Sequence, residues 1–178
     1  MTRNILITIV CIMTLSNCGH RKTDNNNVLT TQVDNSVDTS SIVILPYDSS
    51  LYWICKDCKP ADLTSQDFEE IENFLIKCID EYNPEQEKRF YEIKSKYPEQ
   101  NFEMRHFTIE LKRYKRQYIA MTNINGEKVV WINCVCDTYH EDWRKGPIII
   151  MDGGNCFFNL KINLTRHSYY ELSVNGEA

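Results

Sequence analysis

The sequence lacks several features that would assign it to a familiar class. It has no run of about 20 apolar residues, the length that a membrane-spanning helix needs. It has no basic excess, since the formal net charge is −5, and it therefore gives no sign of a nucleic-acid partner. Walker, GxGxxG, GxSxG and HExxH motifs are all missing. The residues accordingly indicate no cofactor, no metal site and no catalytic residues of a known pattern.

The N-terminus, in contrast, contains an export signal. Arg3 gives a positive start, residues 5–15 form an apolar stretch, and Ser16-Asn17 lead to Cys18. This order is typical of a signal peptide, which is removed on export. The four residues Leu-Ser-Asn-Cys that end at Cys18 resemble the lipobox of bacterial lipoproteins, in which the cysteine is acylated and becomes the mature N-terminus. The resemblance implies lipidation of Cys18 and attachment to a lipid bilayer.

The composition divides the chain into three parts. Residues 1–17 are the expected signal peptide, residues 18–40 a polar, asparagine-rich tether, and residues 41–178 a single domain. Gly19 follows the cysteine, where an aspartate would suggest retention in the inner membrane by analogy with enterobacterial lipoproteins. We therefore expect a cell-envelope protein anchored by lipid to the outer membrane and facing the periplasm.

One strong amphipathic helix is expected after residue 63. Thr64 or Ser65 can cap it, and acidic residues follow in its first turn, where the helix dipole favours negative charge. Apolar residues then recur at spacings of three and four: Phe68, Ile71, Leu75, Cys78, Ile79 and Tyr82. Asn83-Pro84 should end the helix near residue 82, and residues 84–97 should form a second short helix or a loop.

From residue 102 onward the period changes to two, which predicts β-strands. Phe107, Ile109 and Leu111 begin the alternation, and a last strand should place Tyr170, Leu172 and Val174 on the core side. Two hairpins are expected, with strands at residues 117–124 and 127–136 around Asn-Gly, and at 147–151 and 156–164 around Asp-Gly-Gly-Asn. Shorter extended pieces are expected at residues 41–45 and 51–55.

The late strands are polar on one face, so the sheet should have one packed and one solvated face. We predict an α+β fold in which one long amphipathic helix packs on a curved antiparallel sheet of four to five strands. This architecture resembles the cystatin-like and NTF2-like classes. The segment from Gln117 to Ala178, with its Asn-Gly, Asp-Gly-Gly-Asn and Val-Asn-Gly turns, is similar to small uncharacterised lipoproteins of Bacteroidota. That resemblance implies no activity.

Cysteines are the most reactive residues of the predicted domain. Six remain after the signal and the acylated residue are set aside: Cys55, Cys58, Cys78, Cys134, Cys136 and Cys156. An even number in an exported protein favours disulfides. Neighbours two apart on a strand are too far apart to bond each other, so we expect the Cys55/Cys58 loop to be bridged to the Cys134/Cys136 strand. Cys78 and Cys156 can equally be buried apolar residues.

Two other uses of the cysteines stay open. Cys55 and Cys58 have the C-x-x-C spacing of thiol–disulfide enzymes, although Lys59-Pro60 follows at once and the expected helix starts later. Together with Cys134 and Cys136 they could also form a four-cysteine zinc site, although an oxidising compartment favours disulfides.

Two polar clusters also have alternative interpretations. The basic cluster, Lys112, Arg113, Lys115 and Arg116, could contact lipid headgroups, phosphate or an acidic partner, or it could be the solvated end of a strand. His140, Glu141 and Asp142 could form an acid–base group or a solvated loop.

Taken as a whole, the sequence predicts a membrane-anchored envelope lipoprotein. Its domain should bind an envelope protein, a glycan or a peptide without catalysis. The alternative is a thiol–disulfide redox protein that uses Cys55 and Cys58.

Overall fold

A computed structural model describes residues 39–136 and 142–176. These residues contain one α-helix and six strands: α1 (Ser65–Lys96), β1 (Ile42–Ile44), β2 (Lys59–Pro60), β3 (Tyr114–Thr122), β4 (Lys128–Cys136), β5 (Phe157–Asn163) and β6 (Ser168–Val174). The strands form one open sheet in the order β1-β3-β4-β5-β6, and β2 pairs with the same edge of β3 as β1. The predicted α+β class is confirmed.

The sheet is mixed, which corrects the antiparallel prediction. β1 pairs with β3 in parallel, whereas all the other pairs are antiparallel. Parallel strands need a long crossover connection, and α1 supplies it because it lies between β1 and β3 in the chain. The expected four to five strands are therefore six, and the expected first strand at residues 41–45 is the parallel one.

The helix begins where the sequence predicts. Thr64 is its N-cap: the Thr64 hydroxyl accepts from the Asp67 backbone N–H at 3.2 Å, and the Asp67 carboxylate accepts from the Thr64 backbone N–H at 2.7 Å. Lys128 of β4 donates to the same carboxylate at 2.8 Å. This capping box satisfies two backbone N–H groups and ties the first turn of the helix to the sheet.

The Asp67 contacts predict a loss of stability in acid. Burial raises the pKa of its carboxyl group, but hydrogen bonds from Lys128 and Thr64 outweigh burial and hold the pKa below the ordinary aspartate value. Such a group contributes stability that is complete above its unfolded pKa and is lost as the pH falls through its folded pKa. We expect the free energy of unfolding to decrease below about pH 4, and to decrease less in Asp67→Asn. Urea titrations at about pH 6 and about pH 3 measure both losses, and equal losses would contradict the assignment.

The helix does not end at Asn83-Pro84, so that prediction is wrong. It continues through Pro84 to Lys96. Proline in a helix interior removes one backbone hydrogen bond and costs about 3 kcal/mol. A tertiary contact at the same place offsets this cost: the Asn83 amide donates to the Ile109 carbonyl at 2.9 Å and accepts from the Ile109 N–H at 2.8 Å.

The prediction of a strand from residue 102 onward is also wrong. Residues 104–106 and 111–113 form short 3-10 turns. Phe107 packs edge-to-face on Phe90 of α1, with ring centroids 5.4 Å apart, and Ile109 is buried. Phe107 therefore packs on the second half of the helix, and Ile109 and Leu111 pack in the core between helix and sheet instead of pairing in the sheet.

The apolar stripe of the helix packs on one face of the sheet, as predicted. Four of its members are buried and two are partly buried in the same core: Ile71, Leu75, Cys78, Ile79, Phe68 and Tyr82. Alternate side chains of β3, β4 and β5 complete this core, among them Tyr118, Ile132 and Leu160, which are fully buried. Burial on the helix side thus follows the period of each element.

Local irregularities change the remaining strands. β5 keeps its predicted alternation, but residues 147–151 form no strand. Residue 51 ends a 3-10 turn and residues 52–55 form the turn that follows it, so this piece is not extended. The pairing of β6 with β5 shifts register between Asn159 and Lys161 of β5, and Glu171 of β6 adopts a positive φ of 55°. This bulge turns Tyr170 toward solvent, and Tyr169 packs against the core in its place.

Candidate functional site

The sheet face opposite the helix is covered over its centre, which corrects the prediction of one solvated face. A second apolar core lies there, formed by the chain after β1 and by the outward side chains of β3 and β4. Its buried members are Leu45, Tyr47, Leu51, Ile54, Ile119, Met121, Val129 and Trp131. Central strands that are buried on both faces have nearly continuous apolar sequences, as β4 does.

The cysteine loop, residues 51–58, covers part of this face. Cys55 and Cys58 form a disulfide and pack against the second core, and the Tyr47 hydroxyl donates to the Cys55 carbonyl at 2.8 Å. Trp53 packs edge-to-face on Trp131, with ring centroids 5.6 Å apart, and 48% of its surface remains exposed. A tryptophan held in this way offers a ligand a large, pre-oriented apolar surface.

The strap, residues 143–151, lies on the same face, and Gln117 of β3 holds it. The Gln117 side-chain NH2 donates to the Trp143 carbonyl and, at 2.7 Å, to the Gly146 carbonyl. Its oxygen accepts from the Ile148 N–H at 3.0 Å. Gln117 is fully buried, and these bonds satisfy the polar groups that burial would otherwise leave unpaired.

Two asparagines complete the attachment of the strap. Asn133 of β4 donates to the Ile148 carbonyl at 2.7 Å and to the Gln117 side-chain oxygen at 2.8 Å. Asn175, just after β6, donates to the Ile150 carbonyl at 2.6 Å. The strap therefore reaches across the sheet from β3 to the end of β6, and its backbone polar groups are met by side-chain amides.

A groove of about 210 Å³ is lined by residues of the cysteine loop, the strap and the sheet. Trp53 of the cysteine loop lines it together with Ile149 and Met151 of the strap, which are 53% and 90% exposed. Asn159 of β5 and Ser173 of β6, which are register partners, supply polar groups to the floor. No described residue that lines the groove carries a charge. The groove can thus offer hydrogen bonds and apolar contacts to an uncharged ligand.

The prediction of a disulfide between the Cys55/Cys58 loop and the Cys134/Cys136 strand is wrong. Disulfide bonding itself is confirmed, with Cys55 bonded to Cys58 and Cys136 bonded to Cys156, whose Cα atoms are 4.8 Å apart. The two pairs lie on opposite faces of the sheet. Cys134 and Cys136 face the helix, whereas the cysteine loop covers the other face.

Two cysteines of the described residues are free thiols, Cys78 and Cys134. Both are buried between helix and sheet. Burial raises the pKa of the Cys78 thiol to about 11 and that of the Cys134 thiol still further. Both thiols are therefore protonated at neutral pH and are poor nucleophiles.

The second disulfide should stabilise the fold more than the first. Cys136 and Cys156 are separated by 20 positions, and Cys55 and Cys58 by three. Because a disulfide restricts the unfolded chain more when it closes a longer loop, we expect paired serine substitutions to cost about 3 kcal/mol and about 2 kcal/mol, respectively. Urea unfolding of the two double variants measures the costs. A smaller loss for the Cys136/Cys156 variant would contradict this order.

The four cysteines considered for zinc do not converge. The Cys55–Cys58 disulfide lies on one side of the sheet, and Cys134 and Cys136 point to the other. Within residues 39–136 and 142–176, no group of three or more His, Cys, Asp or Glu side chains could hold a metal ion. The C-x-x-C pair also does not lie at a helix N-terminus, since β2 follows it before α1 begins.

The structure divides the basic cluster. Arg116 points toward the helix, where it is buried and paired with Glu72. Lys112 is exposed and pairs with Glu110 at 2.6 Å. Arg113 and Lys115 are partly buried, and Lys115 lies on the opposite face of β3 from Arg116. The four side chains therefore do not form one surface.

Only part of the predicted His140-Glu141-Asp142 group can be placed. The Asp142 carboxylate accepts from the Arg144 backbone N–H at 3.2 Å and pairs with Lys145 at 3.3 Å. The Arg144 hydrogen bond, followed by that from Lys145, lowers the pKa of this carboxyl. His140 and Glu141 lie outside the described residues, as do Cys18, the signal peptide and most of the tether.

Sequence reasoning missed the polar residues of this face, Gln117, Asn133 and Asn159. A signal for them exists. Gln117 is a neutral amide followed in β3 by the apolar residues 118–121, and Asn133 is a neutral amide that interrupts the apolar run of β4. An uncharged amide at such a position indicates a buried hydrogen-bonding role, because an unpaired polar group there would be costly.

Comparison with known proteins adds no family to this description: no family model, no curated protein and no solved structure matches the chain. Among the described helices, none has the length and apolar character to cross a membrane.

Proposed function

We propose that this chain is a membrane-anchored envelope lipoprotein whose domain binds a ligand without catalysis. The signal and lipobox pattern of residues 1–18 supports the anchor, at the outer membrane facing the periplasm. The groove supports the binding role. The observation that carries it is the exposure of Trp53, Ile149 and Met151 around one cavity. Apolar side chains gathered around a cavity mark a binding site more often than scattered ones do.

Membrane attachment is tested with a Cys18→Ala variant expressed in the native host. We expect the wild-type chain in the membrane fraction and the variant in the soluble periplasmic fraction, because the variant has no acylation site. Intact mass should show the acyl chains on wild type only. Wild-type protein that carries no acyl chains on Cys18 would contradict lipid anchoring.

Ligand binding is tested by photo-cross-linking in intact cells. A photo-reactive amino acid at Met151 lies at the groove, and the same amino acid at Ile124, which is 80% exposed in the β3–β4 turn, is the matched control. We expect a discrete adduct from Met151 only, and its loss in Trp53→Ala but not in Tyr52→Ala. Equal adducts from both positions, or turnover that depends on one Cys or His, would contradict the proposal.

A second candidate is a thiol–disulfide redox function of Cys55 and Cys58. The observation that favours it is the bond itself, formed within the C-x-x-C motif in a partly exposed loop. In the reaction a substrate dithiol would be oxidised to a disulfide, while its two electrons and two protons convert the Cys55–Cys58 disulfide to two thiols. Oxidation of a reduced, unfolded substrate should then stop in the Cys55→Ser, Cys58→Ser variant and persist in the Cys136→Ser, Cys156→Ser variant. Equal rates in both variants would exclude this function.

A further inference from the structure

A row of polar side chains crosses the sheet face that carries the groove. Gln117, Asn133, Asn159 and Ser173 are successive register partners on β3, β4, β5 and β6. Gln117 and Asn133 are buried and bonded to the strap. Asn159 and Ser173 line the groove, and their side chains have no hydrogen-bond partner among the described residues. Half of the row is therefore occupied by a piece of this chain, and half is open.

The occupied half shows which chemistry the row recognises. Gln117 accepts from the Ile148 N–H at 3.0 Å, and Asn133 donates to the Ile148 carbonyl at 2.7 Å. Two side-chain amides thus bind both backbone polar groups of one residue, in a non-helical segment with three consecutive isoleucines, residues 148–150. The row binds main chain, and it leaves the aliphatic side chains free to make apolar contacts.

From this arrangement we infer that the groove binds an extended, uncharged, aliphatic peptide segment of a partner protein. Asn159 would hydrogen-bond the backbone of that segment as Asn133 bonds the strap. This inference rests on the proposed binding function and names its ligand. Trp53 and Met151 would contact the aliphatic side chains of the peptide.

The charges around the groove favour a neutral occupant. Its described lining is uncharged, and Lys161, the nearest charged residue along β5, already pairs with Glu171 at 2.7 Å. A charged ligand would lose hydration without gaining a counter-charge, which is costly. Phosphates and anionic sugars are therefore poor fits for this surface.

The size and the rim favour a peptide over a compact small molecule or a glycan. The cavity of about 210 Å³ is smaller than the roughly 300–1,000 Å³ of pockets that enclose drug-sized ligands. It suits one or two side chains of a longer segment that continues outside the groove. The exposed aliphatic and thioether groups of Ile149 and Met151 also match aliphatic side chains better than sugar hydroxyls.

A random nonapeptide phage library, selected on the full chain and counter-selected on Trp53→Ala, tests this inference. We expect uncharged, aliphatic central residues in the selected peptides. Loss of one backbone hydrogen bond should weaken binding of the synthetic peptide about five- to tenfold in Asn159→Ala. The matched control, Asn101→Ala, changes an exposed asparagine outside the groove and should bind with unchanged affinity. Methylation of one central peptide N–H should weaken binding similarly.

The outcomes separate this inference from the broader binding function. Selected peptides that are charged, or whose binding ignores both Asn159→Ala and N-methylation, would overturn the peptide assignment. Binding of neutral oligosaccharides on a glycan array, lost in Trp53→Ala, would also overturn it while leaving a binding groove intact. Absence of peptide and glycan binding, together with no Met151-specific cross-link, would contradict both the binding function and the peptide assignment. Unchanged unfolding midpoints verify that the variants are folded.

Discussion

Replacing Gln117 with alanine should lower the free energy of unfolding by about 3 kcal/mol or more. The substitution removes a fully buried side chain and with it the partners of the Trp143 and Gly146 carbonyls and of the Ile148 N–H. Each buried polar group left unpaired costs about 1–3 kcal/mol, and the cavity adds to the loss. Part of this cost is avoided if the strap detaches and its backbone is hydrated.

Hydrogen exchange at Ile148 distinguishes these two responses to Gln117→Ala. A detached strap should show fast exchange of the Ile148 N–H, rapid proteolysis between residues 143 and 151, and loss of the Met151 cross-link. Asn159→Ala is the matched control, because it removes an amide from the same polar row that has no side-chain partner. It should change stability by less than about 0.5 kcal/mol. Equal losses in the two variants would show that Gln117 does not hold the strap.

Replacing Glu72 with alanine should cost about 3–5 kcal/mol. Glu72 of α1 accepts hydrogen bonds from Arg116 and from the Tyr118 hydroxyl, and both partners are buried in the sheet. Without the carboxylate, the Arg116 guanidinium keeps a hydrogen bond to the Ser41 hydroxyl at 3.1 Å, and its Nε has no partner among the described residues. An uncompensated buried charge is more destabilising than the loss of the attraction itself.

The control and the rescue for Glu72→Ala are both available in this chain. Glu69→Ala removes an exposed carboxylate from the same helix and should change stability by less than about 0.5 kcal/mol. A double variant, Glu72→Met with Arg116→Met, removes both charges and should recover most of the loss, since apolar replacements of buried ion pairs are often neutral. Guanidinium unfolding of the wild type, Glu72→Met, Arg116→Met and the double variant closes a double-mutant cycle, with Glu72→Ala and Glu69→Ala measured beside it. A double variant as unstable as Glu72→Ala would contradict the unpaired-charge explanation.

Several predictions that depended only on nearby residues are confirmed. The N-cap candidates Thr64 and Ser65, with acidic residues in the turn that follows, placed the start of the helix correctly, and Thr64 is the N-cap. The Asn125-Gly126 turn placed the β3–β4 hairpin, and Gly126 has the positive φ of 77° that such a turn requires. The helix stripe and the alternation of β5 also match the burial of their side chains. In each case the residues that determine the structure are within a few positions of one another.

Predictions failed where a distant segment supplied the deciding contact. Pro84 should end a helix by local rules, but Asn83 bonds Ile109, 26 positions away, and the helix continues. Tyr170 should face the core, but a bulge in β6 exchanges it for Tyr169. The cysteine pairing failed for a related reason: the spacing of cysteines contains no information about which side of the sheet a loop covers.

The candidate site shows the same division. Trp53 and the C-x-x-C motif stand out in the sequence, yet nothing local indicates that Trp53 packs on Trp131 or that the strap lies beside it. Gln117 and the strap are 26–31 positions apart, and no periodic pattern links them. Only the sheet register brings Asn133 and Asn159 into one polar row.

The sequence alone therefore determined the α+β class, the start and apolar face of the helix, the hairpin, and the signal pattern from which an envelope address is predicted. These features follow from capping, side-chain period and turn chemistry, which act over short stretches of chain. The tertiary structure decided the length of the helix, the parallel first strand, the disulfide pairing and the groove. Those features follow from burial and hydrogen bonding between segments that are distant in the chain, and such contacts exist only once the sheet has formed.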